Sequence, residues 1–305
     1  MREMHLAFPH GKLMFPDFWS ESMTILITGA TGDVGSCVTK QLIARGIRPR
    51  VLVRSAEKAQ TLFGQGAEIR VGDLREPDTI RAAMKDVHTL FLVNVGPEIP
   101  QRDGAAATIA REGGIRRIIK LSSLDVEHGL AIGAWHEKGE AAIRATGVPF
   151  TFIRPTGFMN NLLAWAHSIK SEGIVRSSTG AGRRPFIHSQ DIAAVSVATL
   201  LGEEYASRTL SITGPEALTF GDVTRIIGRA IGKELAYQTI SDEEAGERYS
   251  PVSGSPEETA AHVALWRAIR QGRLATTTDE VEKILGRKPI PLEQWASENA
   301  HHFLS

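Results

Sequence analysis

Ile25-Leu26-Ile27-Thr28-Gly29-Ala30-Thr31-Gly32-Asp33-Val34-Gly35 is the stretch that decides the fold. An apolar run of strand character ends in glycines spaced Gly-x-x-Gly-x-x-Gly, and a helical pattern follows at once, with Val34, Val38 and Leu42 on one face. A strand feeding a glycine-rich turn lets the backbone approach a diphosphate. The next helix then aims its free N-terminal amides and positive dipole end at the phosphate oxygens. A side chain at Gly29 or Gly32 would hold the diphosphate away, and Thr31, Asp33 and Val34 complete the turn. Glycines at this spacing also occur in ordinary turns; the strand before and the helix after favour dinucleotide binding.

Outward from this stretch, strand-like and helix-like segments alternate. Strands are expected at 24–28, 50–53, 67–71, 89–93, 117–121 and 150–154, with helices at 34–45, 56–63, 78–84, 104–112 and 134–146 between them. Apolar strands at this spacing mean right-handed crossover units and a parallel sheet covered on both faces. The fold class is therefore α/β, a doubly wound Rossmann fold with a smaller C-terminal substrate lobe. Residues 23–156 form the dinucleotide domain, 183–214 return to the sheet, and 157–182 with 215–305 form the lobe. In that second half, 160–171 reads as helix, 177–182 as a turn-rich loop and 191–201 as a helix with Asp191 at its N-cap. A strand is expected at 209–213, a helix at 220–231, and the polar stretch 241–258 reads as an exposed connection. Thr277 with Glu280 fits a capping box opening a helix to Leu285, and Pro291 suits the start of a last helix over 292–303. Residues 1–22, broken by Pro9, Gly11 and Pro16 and lacking a continuous apolar segment, read as a loosely held extension rather than a signal peptide.

Composition excludes several classes. Lys+Arg and Asp+Glu are both 35, so the chain lacks the cationic excess expected of a nucleic-acid binder. The one cysteine, Cys37, excludes a disulfide-built secreted fold and reads as a small buried residue on the first helix. No apolar run approaches the ~20 residues that span a bilayer. Scattered histidines offer no metal constellation, and no Gly-x-Ser-x-Gly elbow exists for a serine hydrolase. These readings point to a cytoplasmic monomer or homodimer acting on a small molecule, away from nucleic acid and membrane.

The tip of the second strand discriminates between nicotinamide dinucleotides. A carboxylate there would hydrogen-bond the adenosine ribose and repel a 2′-phosphate. This chain has Val53-Arg54-Ser55 and no acid until Glu57. Arg54 offers a planar guanidinium, and Lys58 follows one turn on, so NADP(H) is expected over NAD(H). Asp73, beside Leu74 at the end of the third strand, reads equally as an adenine contact or a helix cap. Asn94, Val95 and Gly96 read as a small-residue turn against the adenosine side or as a loop without ligand contact.

Together Thr28–Gly35, Arg54, Gly72-Asp73-Leu74, Leu121-Ser122-Ser123 and Arg154-Pro155-Thr156-Gly157-Phe158-Met159-Asn160-Asn161 resemble the NmrA-like branch of the atypical short-chain dehydrogenase/reductases, in particular its NAD(P)H:quinone oxidoreductases and triphenylmethane reductases. The resemblance implies that Ser122 and Ser123 lie near the reacting group and that Lys138 hydrogen-bonds the nicotinamide ribose. It implies too that Pro155, Thr156, Gly157 and Phe158 underlie the nicotinamide, with Phe158, Met159, Asn160 and Asn161 on the substrate side; Trp135 reads as an aromatic wall or a core residue. The usual tyrosine acid is missing, because Ala134 stands four residues before Lys138. His136 is one substitute, a polar surface histidine its alternative reading. A second possibility is a quinone-like or conjugated substrate that needs no enzymic acid; a third is an NADP(H)-binding redox sensor without chemistry. A nucleotide-sugar epimerase or dehydratase would need the absent tyrosine.

Overall fold

The computed structural model describes residues 24–304, so the expected extension over 1–22 lies outside the described residues. Seven strands form one all-parallel sheet. They are β1 (Ile25–Thr28), β2 (Arg50–Val53), β3 (Glu68–Val71), β4 (Thr89–Leu92), β5 (Arg117–Leu121), β6 (Phe150–Pro155) and a late strand, Arg208–Ile212. From one edge the order is Arg208–Ile212, β6, β5, β4, β1, β2, β3. Strand order reverses between β1 and β4, and the crevice outside the carboxyl ends of these two strands is where such sheets take ligands.

Side chains alternate across the sheet to make two apolar layers. Ile25, Ile27, Val51, Phe91, Ile119 and Ile153 pack against Val34, Val38 and Leu42 of α1 (Asp33–Ile43) and against Ile192 and Val195. On the other face Leu26, Leu52, Leu90, Ile118 and Phe152 meet α3 (Pro77–Met84), α4 (Ile99–Glu112) and α5 (Ala131–Ala145), while α2 (Ala56–Phe63) packs on the α1 face. All four positions of β1, β2 and β4 are buried, the signature of strands covered on both sides.

Beyond β6 a second core forms around Phe186, Phe220, Ile227, Leu265, Ile269 and Trp295. Its frame begins with β7 (Gly157–Phe158), a 3₁₀ stretch over Met159–Trp165, α6 (Ala166–Glu172), β8 (Ile174–Ser177) and β9 (Arg183–Ile187). Then come α7 (Ser189–Leu201), which packs on α1, and β10, the late Arg208–Ile212 strand of the central sheet. The remainder is β11 (Ala217–Thr219), α8 (Phe220–Ile231), β12 (Ala236–Thr239), α9 (Asp242–Tyr249), α10 (Pro256–Arg270), α11 (Glu280–Leu285) and α12 (Leu292–Glu298). Between 183 and 214, only β10 joins the main sheet, and α7 packs against it. β9 instead joins β7 and β11 in a three-stranded sheet, and β8 pairs with β12.

Several expectations are corrected. The exposed connection over 241–258 is mostly helix. Ser241 and Ser255 cap α9 and α10, their hydroxyls accepting the Glu244 and Glu258 amides at 3.1 Å each. The turn-rich loop expected over 177–182 is present, linking β8 to β9. His188, not Asp191, caps α7, its Nδ1 accepting the Gln190 amide. Asp191 lies inside the first turn, where its carboxylate accepts the Ile290 amide and pairs with Arg287, tying the C-terminal segment to α7. Asp279 rather than Thr277 precedes α11, and α12 stops at Glu298 with a 3₁₀ turn over Ala300–His302 beyond it. Cys37 is half-buried beside Gln190. Among the described residues no helix is long and apolar enough to cross a membrane.

Candidate active site

A cleft of about 550 Å³ opens at the β1/β4 crevice, and the glycine turn forms its floor. Gly29 has φ +61°, which favours glycine, and a methyl group there would press on Val93. Gly35 packs α1 directly onto the Gly29 carbonyl, leaving no room for a side chain. Thr28 locks the crevice: its hydroxyl accepts the Val93 amide at 2.8 Å and donates to the Val93 carbonyl at 3.0 Å. The N-terminus of α1 therefore opens on a concave surface floored by Gly29 and Gly32, which fits a diphosphate.

At the end formed by the tips of β2 and β3 the cleft is lined by Arg54, Lys58, Asp73, Leu74 and Arg75. Arg75, which sequence reasoning missed, grips Asp73 through Nη2–Oδ2 and Nε–Oδ1 contacts of 2.7 and 3.1 Å. These hydrogen bonds bring the Asp73 carboxyl down to about 2, so it is ionised but already neutralised. Arg54 is exposed and makes no hydrogen bond or ion pair among the described residues. Asn94 and Val95 line the middle of the cleft, with Asn94 Oδ1 accepting the Val95 amide, while Gly96 (φ +88°) turns the chain just outside the lining.

The far end is built by Leu121, Ser122, His136 and Phe158. Ser122 donates a 2.6 Å hydrogen bond to Glu140, which also takes a bidentate pair from Arg154 at 2.9 and 2.7 Å. The Ser122 hydroxyl is thus committed to Glu140. His136 is 8% exposed, so it is no surface histidine. Burial, reinforced by the charges of Lys120 and Arg154, holds its imidazole well below the ordinary histidine value. It is neutral near pH 7.

Other predicted site residues are not brought to the cleft. Lys138 is exposed on the outer face of α5. His136 and Glu140, four residues apart, share the inner face, and a residue two positions on from His136 lies about 200° around a helix. The Ser123 hydroxyl caps a 3₁₀ turn by accepting the Asp125 amide. Pro155 and Thr156 are buried below the site, and Thr156 donates to the Pro185 carbonyl. Trp135 is a core residue packed with Ile99 and Ala261, Met159 belongs to the second core, and Asn161 is exposed. Its neighbour Asn160 is the connected residue. Asn160 donates to Asp33 at 2.6 Å and accepts from Trp295 Nε1 at 2.7 Å, while Ser189 donates to the other Asp33 oxygen at 2.7 Å. Burial raises the Asp33 carboxyl, and those two hydrogen bonds oppose the rise.

Fold and cleft define a dinucleotide-binding protein of Rossmann type. The chain belongs to the NmrA-like family, whose model matches residues 21–283. It is similar to a (4-alkanoyl-5-oxo-2,5-dihydrofuran-3-yl)methyl phosphate reductase of Streptomyces griseus, 34% identical over 92% of this chain and 99% of that one. It is likewise similar to an NAD(P)H azoreductase of Xenophilus azovorans, 31% identical over 92% and 99% of the two chains. The solved triphenylmethane reductase of Citrobacter sp. shares the fold with a TM-score of 0.77 at 25% identity, covering 91% of this chain and 99% of that one. With reductases matching along their whole length, the chain is an oxidoreductase of the NmrA-like type.

Proposed function

We propose that the chain is an NADPH-dependent reductase that passes hydride to a quinone-like or conjugated aromatic small molecule. We further propose that residues 23–156 with α7 and β10 hold the cofactor while the second core shapes the substrate side. The observation that carries the reading is the pairing of two ends of one cleft: an exposed, unpaired Arg54 beside Lys58 at one, and a buried neutral imidazole at the other. The α1 amides and glycine turn fit a diphosphate, and Arg54 suits a 2′-phosphate because the nearest acid, Asp73, is already neutralised by Arg75.

Bound nicotinamide would supply the hydride; the protein's part is to align, to exclude water and to meet the charge that develops. No tyrosine lines the cleft. His136, being neutral, offers a hydrogen bond and holds no spare proton, and Ser122 is occupied by Glu140. A saturated ketone would leave an alkoxide without a donor strong enough to neutralise it. A quinone or extended conjugated system spreads the incoming charge and takes its proton from solvent. The sensor alternative, NADP(H) binding without chemistry, would instead show tight NADPH binding and no turnover. Steady-state NADPH oxidation with a panel of quinones, azo dyes and triarylmethane dyes tests the proposal. Tight NADPH binding without turnover above background on any of them would end it.

A further inference from the structure

Behind His136 lies a charged pair that the reading above leaves unused. Lys120, on the α4/α5 side of β5, and Asp103 of α4 are both fully buried, with Nζ 2.5 Å from Oδ2. They lie in a layer of leucine, isoleucine and alanine, where a buried pair is costly and adds little stability. The packing is nonetheless built for them: Gly139 of α5 faces Asp103, and a methyl group there would overlap the carboxylate. The Lys120–Asp103 contact lacks hydrogen-bond angles, so the ammonium has N–H groups without an acceptor among the described residues. His136 Nδ1 is also buried and without a partner, whereas Nε2 is not among the buried unpartnered atoms.

We propose that Lys120 is a positioning residue that fixes the tautomer of His136. Its charge reaches the ring. Because neither Nζ nor Nδ1 has a direct hydrogen-bond partner, the ammonium donates toward Nδ1 across one water and so leaves the N–H on Nε2 as a neutral donor to the substrate's acceptor atom. This rests on reading the cleft as a hydride-transfer site. The logic is one of matching donors to acceptors. An ammonium only donates, so the ring nitrogen that meets it carries no proton. The other charged groups near the ring have no spare capacity: Glu140 of α5 takes Ser122 and Arg154, and Arg154 of β6 is bound by Glu140 and Glu127. Asp103 of α4 faces Lys120 and makes a long 3.4 Å contact to Asn94. Lys120 alone has donors left over, in a place where an unmade hydrogen bond is expensive.

The test is a two-bond ¹⁵N–¹H correlation spectrum of full-length, histidine-labelled protein saturated with NADP⁺, with His136 assigned by its loss in His136→Gln. The expected result is an Nε2–H ring for His136. In the double variant Lys120→Met/Asp103→Leu, which strands neither charge, the Nδ1–H form should grow. On a turned-over substrate kcat should fall about tenfold, the worth of one hydrogen bond, with NADPH affinity held within about twofold. An Nδ1–H ring in the wild type, or an unchanged tautomer in the double variant, would overturn the proposal. Should the double variant not fold, Lys120→Met/Asp103→Asn, closer in volume to the wild type and also without a stranded charge, gives the same reading. The spectrum does not depend on turnover, so a protein inert towards every acceptor but carrying Nε2–H would sink the reductase reading and leave the tautomer assignment standing.

Discussion

Replacing Arg54 by alanine is the sharpest probe of the adenosine end. The side chain is exposed, lies in the cleft lining, and has no partner among the described residues, so its removal breaks no internal contact and should leave stability unchanged. A charge-assisted hydrogen bond to a phosphate contributes about 1.5–3 kcal/mol when sheltered. Solvent at this open position reduces that to roughly 1–1.5 kcal/mol. Lys58 and Arg75 remain nearby, although Arg75 is held by Asp73. The expected loss is therefore about five- to tenfold in NADPH affinity, with NADH affinity changed by less than about twofold because NADH lacks the extra phosphate. Titration calorimetry of wild type and Arg54→Ala with both dinucleotides measures this. Raising salt should shrink the difference, since exposed charges are screened. Equal weakening of both cofactors, or of neither, would refute the assignment of Arg54 to a 2′-phosphate.

Gly35→Ala should lower stability by about 1–3 kcal/mol and abolish tight dinucleotide binding, because the added methyl meets the backbone of Gly29 and Ala30, which cannot swing aside; an unchanged melting temperature would contradict this. His136→Phe should cut kcat by about tenfold and His136→Gln by less, since glutamine keeps a donor, and wild-type kcat/KM should show no inflection at the ordinary histidine value. Because the folded imidazole titrates below its unfolded value of 6.5, the unfolded chain binds more protons below that pH. Stability should therefore fall as pH drops beneath 6.5, and acid melts of His136→Gln should lack this component. Asn160→Ala removes the 2.6 Å bond to Asp33 and the acceptor for Trp295, leaving a buried indole N–H unpaired. A loss of about 1–3 kcal/mol is expected in chemical denaturation, and stability equal to wild type would count against the bridge.

The dinucleotide half was legible because its determinants are local. A glycine turn, the helix it opens and the apolar strands around it are each written in a dozen consecutive residues, and the 3.6- and 2-residue periods report which side is buried. Local signals also existed where the reading failed. Ser241-x-x-Glu244 and Ser255-x-x-Glu258 are helix-capping patterns that marked α9 and α10 within a stretch too polar to draw attention. Helical geometry puts His136 and Glu140 on one face and turns Lys138 away from it, a relation already present in the sequence spacing. Arg75 is missed for a different reason, since its grip on Asp73 is a side-chain geometry that spacing does not reveal.

From the sequence alone follow the doubly wound sheet, the diphosphate-fitting turn and the cation at the second strand's tip, all governed by contacts between near neighbours in the chain. Tertiary structure alone decided the opposite end of the cleft. His136 arrives there from α5, and the charged groups around and behind it, Asp103, Lys120 and Arg154, come from three further elements, α4, β5 and β6, while Asn160 reaches Asp33 across 127 residues. The protonation of a buried group depends on which charges and donors surround it in space, and that is a property the order of residues does not carry.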